Sequence, residues 1–390
     1  MIRSLFPLAC WLVLCPGGLA AGADEAPADA WPMFRGCPAG TGSSAGSLRL
    51  PLAERWHRRF EKTSFEATPV IAAGTIYLGD LDGTFHALAL DTGATRWTFR
   101  TESGFPSAAA VSTDPQLPLV VVGDADGIVR AFDAGTGAVR WEYETEGEIS
   151  GGPTILPGPD GPRVLVGSQD ASLSCLDLAA GTLLWKHSIA DQIRCSPTVA
   201  GDSVLLAGCD GKLHVIDAER GDEKSAVPIG GPTGTTPAAD GKRVFFGTEG
   251  GIFFGIDIGA GEVAWKAAPA ANAQTYRSSA ALADGRAIVG TRGRAIEAFL
   301  VADGTRAWRT PMRGRVDGSP VVAKMGAGPG LMAFAGDAAG RIVALDVADG
   351  KTLWEFDAGG GFAGSPAVAA GRLVIASEDG AVWCFHEENR

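Results

Sequence analysis

One pattern of residues recurs along most of the chain and restricts its fold more than any other sequence feature. Residues 342–354 read I-V-A-L-D-V-A-D-G-K-T-L-W, an apolar alternation, then a turn at Asp349-Gly350, then a tryptophan four residues after that glycine. The tryptophan recurs at steps of about 40 to 46 residues, a period that favours one large closed repeat domain. The repeated residues are Trp56, Trp97, Trp141, Trp185, Trp265, Trp308 and Trp354. One copy is missing, at Ser225, and we interpret the others as structural residues that wedge between repeats.

The segments within each repeat indicate an all-β fold. Short runs of β-branched and aromatic residues, such as Leu119-Val-Val-Val122, predict strands. Turns rich in Asp and Gly, such as residues 79–83, separate them. The 55 Gly and 23 Pro favour many turns over long helices. Four short strands in a repeat of about 40 residues are typical of one blade of a β-propeller.

Eight repeat units can be assigned along the chain. Seven begin near Ala67, Ser107, Gly151, Cys195, Thr235, Ser278 and Gly318. The eighth begins at Gly364 and reaches the end of the chain after its third strand. Its fourth strand is supplied by residues 54–60, which align with residues 95–100. We therefore predict an eight-bladed propeller over residues 51–390 whose last blade is closed by the N-terminal strand, which removes open sheet edges.

The N-terminal region resembles an export signal followed by a linker. Arg3, an apolar run over residues 5–14 and small residues up to Ala23 predict a cleavable signal peptide over residues 1–23. The apolar run is too short to span a bilayer, and Cys10 and Cys15 do not fit a lipoprotein signal. We expect a periplasmic or secreted protein. Residues 24–50 are predicted to be a flexible linker, apart from the hexapeptide WPMFRG at residues 31–36, which could dock on the body.

The charge of the chain argues against two classes of partner. The formal net charge is −12 and the pI is about 4.9, so the long-range field repels nucleic acid and anionic lipid. We expect no nucleic-acid partner, no transmembrane span and a monomeric protein.

The cysteines leave a disulfide open and favour no metal site. After the signal peptide, Cys37, Cys175, Cys195, Cys209 and Cys384 remain, an odd number that leaves at least one thiol unpaired. Cys195 and Cys209 flank a hairpin that turns at residues 201–202, and a bridge or two buried thiols fit equally well. No Cys-x-x-Cys motif or Cys/His ligand cluster is present.

Other polar residues have ordinary structural interpretations. The acidic turns at Asp80, Asp82, Asp124, Asp126 and Asp337 contain calcium-type ligands, but each is short and is explained by turn chemistry. His86 and His214 share one repeat position but belong to blades one and four, so they cannot meet on one ion. No Ser/His/Asp arrangement stands out. We predict no catalytic and no metal-binding residues.

The repeat of the form A-L-D-x-x-x-G-x-x-x-W resembles the pyrroloquinoline quinone (PQQ) repeat family of β-propellers over roughly residues 52–390. The hexapeptide is similar to the W-P-x-x-R-G opening of exported bacterial members. The resemblance implies one of two kinds of protein. Quinoprotein dehydrogenases oxidise alcohols or sugars with PQQ and calcium, whereas BamB-like scaffolds of outer-membrane protein assembly bind protein partners without a cofactor.

Several features favour the scaffold. The chain is nearly all repeat and has no adjacent cysteine pair, which many of the dehydrogenases carry beside the quinone. Seven tryptophans occupy the repeat position and Trp11 lies in the signal peptide, so only Trp31 and Trp383 are left to stack on a flat cofactor. We expect a non-enzymatic protein-binding or scaffolding module of the cell envelope with no cofactor. A PQQ-dependent dehydrogenase is the alternative, and the absent lipid signal departs from BamB.

The candidate binding site lies just before the first strand of each blade, where the chain returns to the central channel. One position there is apolar, and the next is polar or charged. Binding sites often form where loops surround such a concavity. The candidate channel-mouth residues are Phe65, Glu66, Phe105, Arg194, Tyr276, Arg277, Asp317 and Phe362.

Overall fold

The structure is a computed structural model that describes residues 26–267 and 275–388. All regular secondary structure in these residues is β-strand. The predicted signal peptide, residues 1–23, lies outside the described residues. The first two strands are β1 (Ser43–Leu48) and β2 (Leu52–Arg59).

The following strands form eight sheets in chain order, and in each complete blade strands A, B, C and D are neighbours in that order. Blade 1 contains β3 (Val70–Ala72), β4 (Thr75–Gly79), β5 (Thr84–Ala89) and β6 (Thr95–Arg100); blade 2 contains β7 (Ala110–Val111), β8 (Leu119–Gly123), β9 (Ile128–Asp133) and β10 (Val139–Glu144); blade 3 contains β11 (Thr154–Leu156), β12 (Arg163–Gly167), β13 (Ser172–Asp177) and β14 (Leu183–Ser188); blade 4 contains β15 (Thr198–Ala200), β16 (Ser203–Ala207), β17 (Lys212–Asp217) and β18 (Glu223–Pro228).

The second half of the ring repeats this arrangement. Blade 5 contains β19 (Ala238–Ala239), β20 (Arg243–Gly247), β21 (Phe253–Asp257) and β22 (Glu262–Ala267); blade 6 contains β23 (Ala281–Ala283), β24 (Arg286–Thr291), β25 (Ala295–Leu300) and β26 (Arg306–Pro311); blade 7 contains β27 (Val321–Met325), β28 (Leu331–Gly336), β29 (Arg341–Asp346) and β30 (Thr352–Asp357); blade 8 contains β31 (Ala367–Ala369), β32 (Arg372–Ala376) and β33 (Ala381–Glu387).

The N-terminal strand closes the ring as the sequence predicts. Strand β2 pairs antiparallel with β33, and Trp56 lies opposite Cys384. The eight-bladed all-β propeller is thus confirmed, with blade 8 assembled from both ends of the chain. Strands B are almost fully buried, whereas strands D alternate between buried and exposed residues, because only one face of D packs on the next blade.

The repeated tryptophans lie between neighbouring blades. Trp97 is 9% exposed, and its indole Nε1–H donates to the carbonyl of Ala134 in blade 2 at 3.0 Å. Its ring lies against Gly137, which has a φ of 73°. A Cβ added to that glycine would stand 2.6 Å from the ring, so the close approach requires glycine. Each indole therefore fixes the distance between two blades.

A small residue lies opposite each of these tryptophans on strand C. The opposite residues are Ala87, Ala131, Cys175, Gly255, Ala298, Ala344 and Cys384. Blade 4 departs from this pattern, because Ser225 lies opposite the larger Val215. Burial raises the pKa of the Cys175 and Cys384 thiols to about 12, so they act as small apolar residues.

The remaining polar features of the sequence also have structural partners. Cys195 and Cys209 are free thiols, and the Sγ of Cys195 donates to the Ala207 carbonyl at 3.4 Å.

In the acidic turns, Oδ1 of the first aspartate accepts two backbone N–H groups. At Asp80 these are the N–H groups of Asp82 and Thr84, at 3.1 and 2.7 Å. Asp124 and Asp337 make the same pair of bonds.

Replacing a docking tryptophan should destabilise the ring. We expect Trp97→Ala to lower the free energy of unfolding by about 3–5 kcal/mol, because it leaves a cavity and removes a cross-blade hydrogen bond. Trp97→Phe should cost less, since it retains part of the buried ring. Thermal and denaturant unfolding measure both effects. An unchanged melting temperature for Trp97→Ala would contradict this role of the indole.

In blade 4 the opposite change, the introduction of a docking tryptophan, can be tested. A surface groove of about 820 Å³ between blades 4 and 5 includes Val215, Ser225 and Gly261, where other blade junctions hold an indole. We expect the double variant Val215→Ala/Ser225→Trp to stabilise the protein by about 1–3 kcal/mol through apolar burial. Ser225→Trp alone should gain less, because Val215 crowds the ring. A double variant that melts no higher than the parent protein would refute this explanation of the groove.

Candidate functional site

The N-terminal segment is built into the centre of the propeller. Residues 24–50 were predicted to be a flexible linker, but in the part that the structure describes Ala26 and Trp31 are fully buried. Strand β1 pairs in parallel with β27, which makes the sheet of blade 7 five-stranded. The hexapeptide at residues 31–36 was excepted from that prediction as a segment that could dock, and the flexibility predicted for the residues on either side of it is wrong for residues 26–30 and 37–48. The physical reason is that the innermost strands have an unpaired edge, and this segment satisfies its backbone groups.

The segment follows the inner strands of seven blades. Trp31 exchanges two backbone hydrogen bonds with Ile71 of blade 1, at 2.7 and 2.9 Å. Later carbonyls of the segment accept backbone N–H groups from strand A or the residue beside it, at 2.7–2.9 Å: Pro32 from Val111, Pro38 from Val199, Ala39 from Ala239, Thr41 from Leu282 and Gly42 from Val322. These bonds reach blades 1, 2, 4, 5, 6 and 7, and the Ala28 carbonyl accepts the N–H of Ala370, beside the inner strand of blade 8, at 2.8 Å. Gly40 suits this path, because a Cβ added there would stand 2.7 Å from the Pro237 carbonyl oxygen.

Arg35 anchors the segment between blades 6 and 7. It is 1% exposed, and its Nη2 donates to the carbonyls of Ala280 and Pro320 at 2.9 and 2.7 Å. Burial lowers the pKa of Arg35 to about 9, which still leaves the guanidinium charged at neutral pH. The guanidinium carbon lies 5.9 Å from the centre of the Phe34 ring. The arginine of the WPMFRG hexapeptide is thus a buried structural cation.

A chain of hydroxyl groups links the blades around the channel. The backbone N–H that precedes strand A in one blade donates to the Ser or Thr hydroxyl of the next, at 2.8–3.1 Å. The donor and acceptor residues are Ser196 to Thr236, Thr236 to Ser279, Ser279 to Ser319, Ser319 to Ser365, and Ser365 to Thr68. Blades 2 and 3 carry Ala108 and Gly152 at this position, and both line the channel cavity together with Phe34. The sequence signal was present, since Ser or Thr precedes the strand-A proline in five of the eight repeats.

Two cavities that share some of their lining residues lie at the channel mouth. A cavity of about 170 Å³ is lined by Phe34, the hydroxyl chain and the charged residues Glu66, Arg194, Arg277 and Asp317. A second cavity of about 330 Å³ is lined by the same two arginines and by Glu148, Gln169 and Glu249. Phe34 is the residue of the N-terminal segment that lines the first cavity, and Arg194 and Arg277 are exposed residues of its lining.

Arg194 and Arg277 have fewer charged partners than Asp317 has. Arg194 donates to Gln192 Oε1 at 3.0 and 2.6 Å, and its Nη1 lies 4.0 Å from Glu249 Oε1. Arg277 is exposed and has no hydrogen bond or ion pair with the described residues. Asp317, in contrast, bonds to Arg292 and Arg315. Burial acts to raise the pKa of Asp317, but these two partners outweigh it and lower the pKa.

The structure separates the predicted channel-mouth residues into two groups. Glu66, Arg194, Arg277 and Asp317 line the channel, as expected from their position before strand A. The other four lie in the core between blades: Phe65, Phe105 and Phe362, which were predicted to form an apolar layer at the mouth, and Tyr276, which was assigned to the adjoining polar position.

These four side chains do not line the channel, because each packs in the core at a blade junction. Phe105 is fully buried against Gly79, the last residue of β4 in the preceding blade, where an added Cβ would stand 2.2 Å from the Phe105 Cβ. Tyr276 is 6% exposed and donates its hydroxyl to Glu297 Oε2 at 3.1 Å. The recurrent glycine at the end of strand B was the signal for this packing.

The residues around the channel do not fit PQQ. Such a flat tricarboxylate needs an aromatic surface and several cations. Trp31 is fully buried, and Trp383 is stacked on His57 with ring centroids 4.6 Å apart. Neither indole lines the channel cavity, whose described lining contains one aromatic residue, Phe34. The channel therefore provides two cations at its mouth but no tryptophan surface for a quinone.

The fold and the channel define a class of protein: an eight-bladed β-propeller of PQQ-like repeats whose own N-terminal segment runs along the inner strands. A family model described as outer membrane protein assembly factor BamB matches residues 53–151, 125–291, 169–323 and 292–390. The chain belongs to this family. None of the curated protein sequences matches it. No helix that could span a bilayer occurs in the described residues.

Solved structures from both functional branches share this fold. BamB from Moraxella catarrhalis superposes with a TM-score of 0.70 at 19% identity, covering 86% of this chain and 100% of that one. A europium-containing methanol dehydrogenase gives 0.72 at 13% identity, covering 92% and 98%. The quinohemoprotein alcohol dehydrogenase from Comamonas testosteroni gives 0.72 at 15% identity, covering 93% and 81%. At these identities the likeness establishes the fold alone.

Proposed function

We propose that this chain is an exported, non-enzymatic scaffold of the cell envelope that binds an extended acidic segment of a partner protein at the channel mouth. The observation that carries the proposal is the pair Arg194 and Arg277, which stands at the open end of the channel on a protein of net charge −12. A local cationic pair on an acidic protein selects a partner by charge complementarity.

The surroundings of the arginines support a peptide ligand. The channel wall presents hydroxyl groups and backbone atoms rather than a large apolar surface, which suits the polar main chain of an extended segment. The second cavity contains Gln169, which could pair with peptide groups. Glu66, Glu148 and Glu249 around the arginines would oppose a densely acidic ligand, so a segment with one or two carboxylates fits best.

Membership of the BamB family supports a protein partner, and the signal-peptide pattern of residues 1–23 supports export. The dehydrogenase alternative draws on the fold shared with two alcohol-oxidising enzymes. The channel lining argues against it, because the Trp31 and Trp383 rings are occupied within the protein.

A charge-reversal experiment tests the binding site. We expect Arg194→Glu/Arg277→Glu to reduce capture of envelope proteins at least tenfold relative to the parent protein, measured by quantitative mass spectrometry. The loss should be largest at low ionic strength, where charge pairs are least screened. The matched control is Arg100→Glu/Arg220→Glu, which makes the same change in charge at exposed positions outside the channel lining. Equal partner recovery by the two double variants would place the binding site elsewhere.

A reconstitution experiment tests the enzyme alternative. We expect purified protein incubated with PQQ and calcium to show no dye-linked oxidation of alcohols or aldose sugars above a heat-denatured sample. A quinoprotein dehydrogenase assayed in parallel provides the positive control. Sustained turnover that requires both PQQ and calcium would overturn the scaffold proposal.

A further inference from the structure

Two histidines and a glutamate converge at the junction of blades 3 and 4. His187 lies on β14 of blade 3, whereas His214 and Glu223 lie on β17 and β18 of blade 4. One potential ligand atom from each lies within 4.8 Å of the other two. The sequence pattern pointed to His214 together with His86, because they share a repeat position. His187 was overlooked, since it comes from the neighbouring blade and a different strand.

The outer nitrogen of each histidine is held by a hydrogen-bond acceptor. His187 Nδ1 lies 3.0 Å from the Gly221 carbonyl. A carbonyl can only accept, so Nδ1 carries the proton and Nε2 of the neutral ring presents a lone pair. His214 Nε2 lies 3.0 Å from Asp210 Oδ2, which can hold the proton on that nitrogen. Both arrangements match the support that metal-binding histidines receive from a carbonyl or a carboxylate.

The inner atoms face one another. His214 Nδ1 lies 2.7 Å from Glu223 Oε2, and His187 Nε2 lies 3.8 Å from the same oxygen. His187 Nε2 is buried and has no hydrogen-bond partner among the described residues. A buried nitrogen without a hydrogen-bond partner lowers the stability of the folded protein unless a ligand binds it. Its only close polar neighbour in this cluster is an oxygen that already contacts the second histidine.

We propose that His187, His214 and Glu223 bind a zinc ion, with the fourth coordination position open to solvent. Ligand atoms about 2.0–2.2 Å from a tetrahedral zinc are about 3.4 Å apart, and two of the separations here are 2.7 and 3.8 Å while all three are within 4.8 Å. Glu223 is 40% exposed on its side chain and can make the small adjustment required, whereas His214 is 4% exposed and fixed. Two imidazoles and one carboxylate suit zinc rather than calcium or magnesium, which prefer all-oxygen sites.

The position of the cluster gives the ion a structural role. Blade 4 is the least completely docked blade, because Ser225 replaces its tryptophan. The indole of Trp185, which joins blade 3 to blade 4, has no acceptor for its Nε1–H among the residues that the structure describes, unlike the other six docking tryptophans. A zinc ion held by both blades would join blade 4 to blade 3, on the side opposite its junction with blade 5, where the tryptophan is missing. Because the ligands converge only in the folded chain, zinc binding stabilises the fold.

Isothermal titration of the untagged protein with zinc chloride, and separately with calcium chloride, tests the proposal. We expect one zinc per chain, no saturable calcium binding, and a melting temperature that rises with zinc concentration. His187→Ala and Glu223→Gln should each weaken zinc binding by at least about 100-fold and abolish the thermal shift. Asp210→Asn, which removes only the acceptor behind His214, should weaken binding by about 10–100-fold.

His57→Ala is the matched control, because His57 Nδ1 also contacts a glutamate, Glu54, at 2.7 Å, yet no second histidine lies in that pair. It should bind zinc as the parent protein does. Glu223→Gln changes an exposed residue, so its metal-free melting temperature should match that of the parent and separate ligand loss from misfolding. Absence of zinc binding by the parent protein, or undiminished binding by His187→Ala/Glu223→Gln, would overturn the site.

Discussion

The contact between an indole on one blade and a turn glycine on the next is the interaction on which the rest of this structure depends. It requires three residues together: the tryptophan on strand D, a small residue opposite it on strand C, and a glycine in the following blade. Trp97, Ala87 and Gly137 meet these conditions in the first junction. Because the indole also donates a hydrogen bond across the junction, it sets both the spacing and the relative orientation of two sheets.

The same requirement explains where the ring is irregular. In blade 4 the tryptophan and the small residue are both replaced, by Ser225 and Val215, so the substitution at one position is matched at the other. The packing around the channel also combines residues from the N-terminal segment and from the blades. Phe34 from the N-terminal segment lies at the channel cavity beside Ala108 and Gly152, the two positions that lack a hydroxyl. A circular fold can absorb such local exceptions because each blade contacts mainly its two neighbours.

The fold was predictable because its determinants are local and repeated. The period of the tryptophan, the strand pattern and the alignment of residues 54–60 with residues 95–100 were sufficient to predict eight blades and their closure. The central role of residues 26–48 could not be read in this way, since it depends on a few backbone bonds to each of seven blades that are distant in sequence. Small residues there look like a linker in sequence. Phe105 and Tyr276 were misplaced for a related reason: their position before strand A predicts proximity to the channel, but not the direction of the side chain.

The position of the variable residues bears on function more directly than the repeat does. Dehydrogenases and BamB share this propeller, so the repeats specify the architecture and leave the chemistry to what surrounds the channel. Here the N-terminal segment occupies the inner edges of the strands with its backbone, and its one buried cation, Arg35, is committed to two carbonyls. Arg277, at the channel mouth, is a cation with no partner among the described residues. This arrangement is compatible with the scaffold that we propose, since a partner that binds at the channel mouth would dock there without the ring having to open.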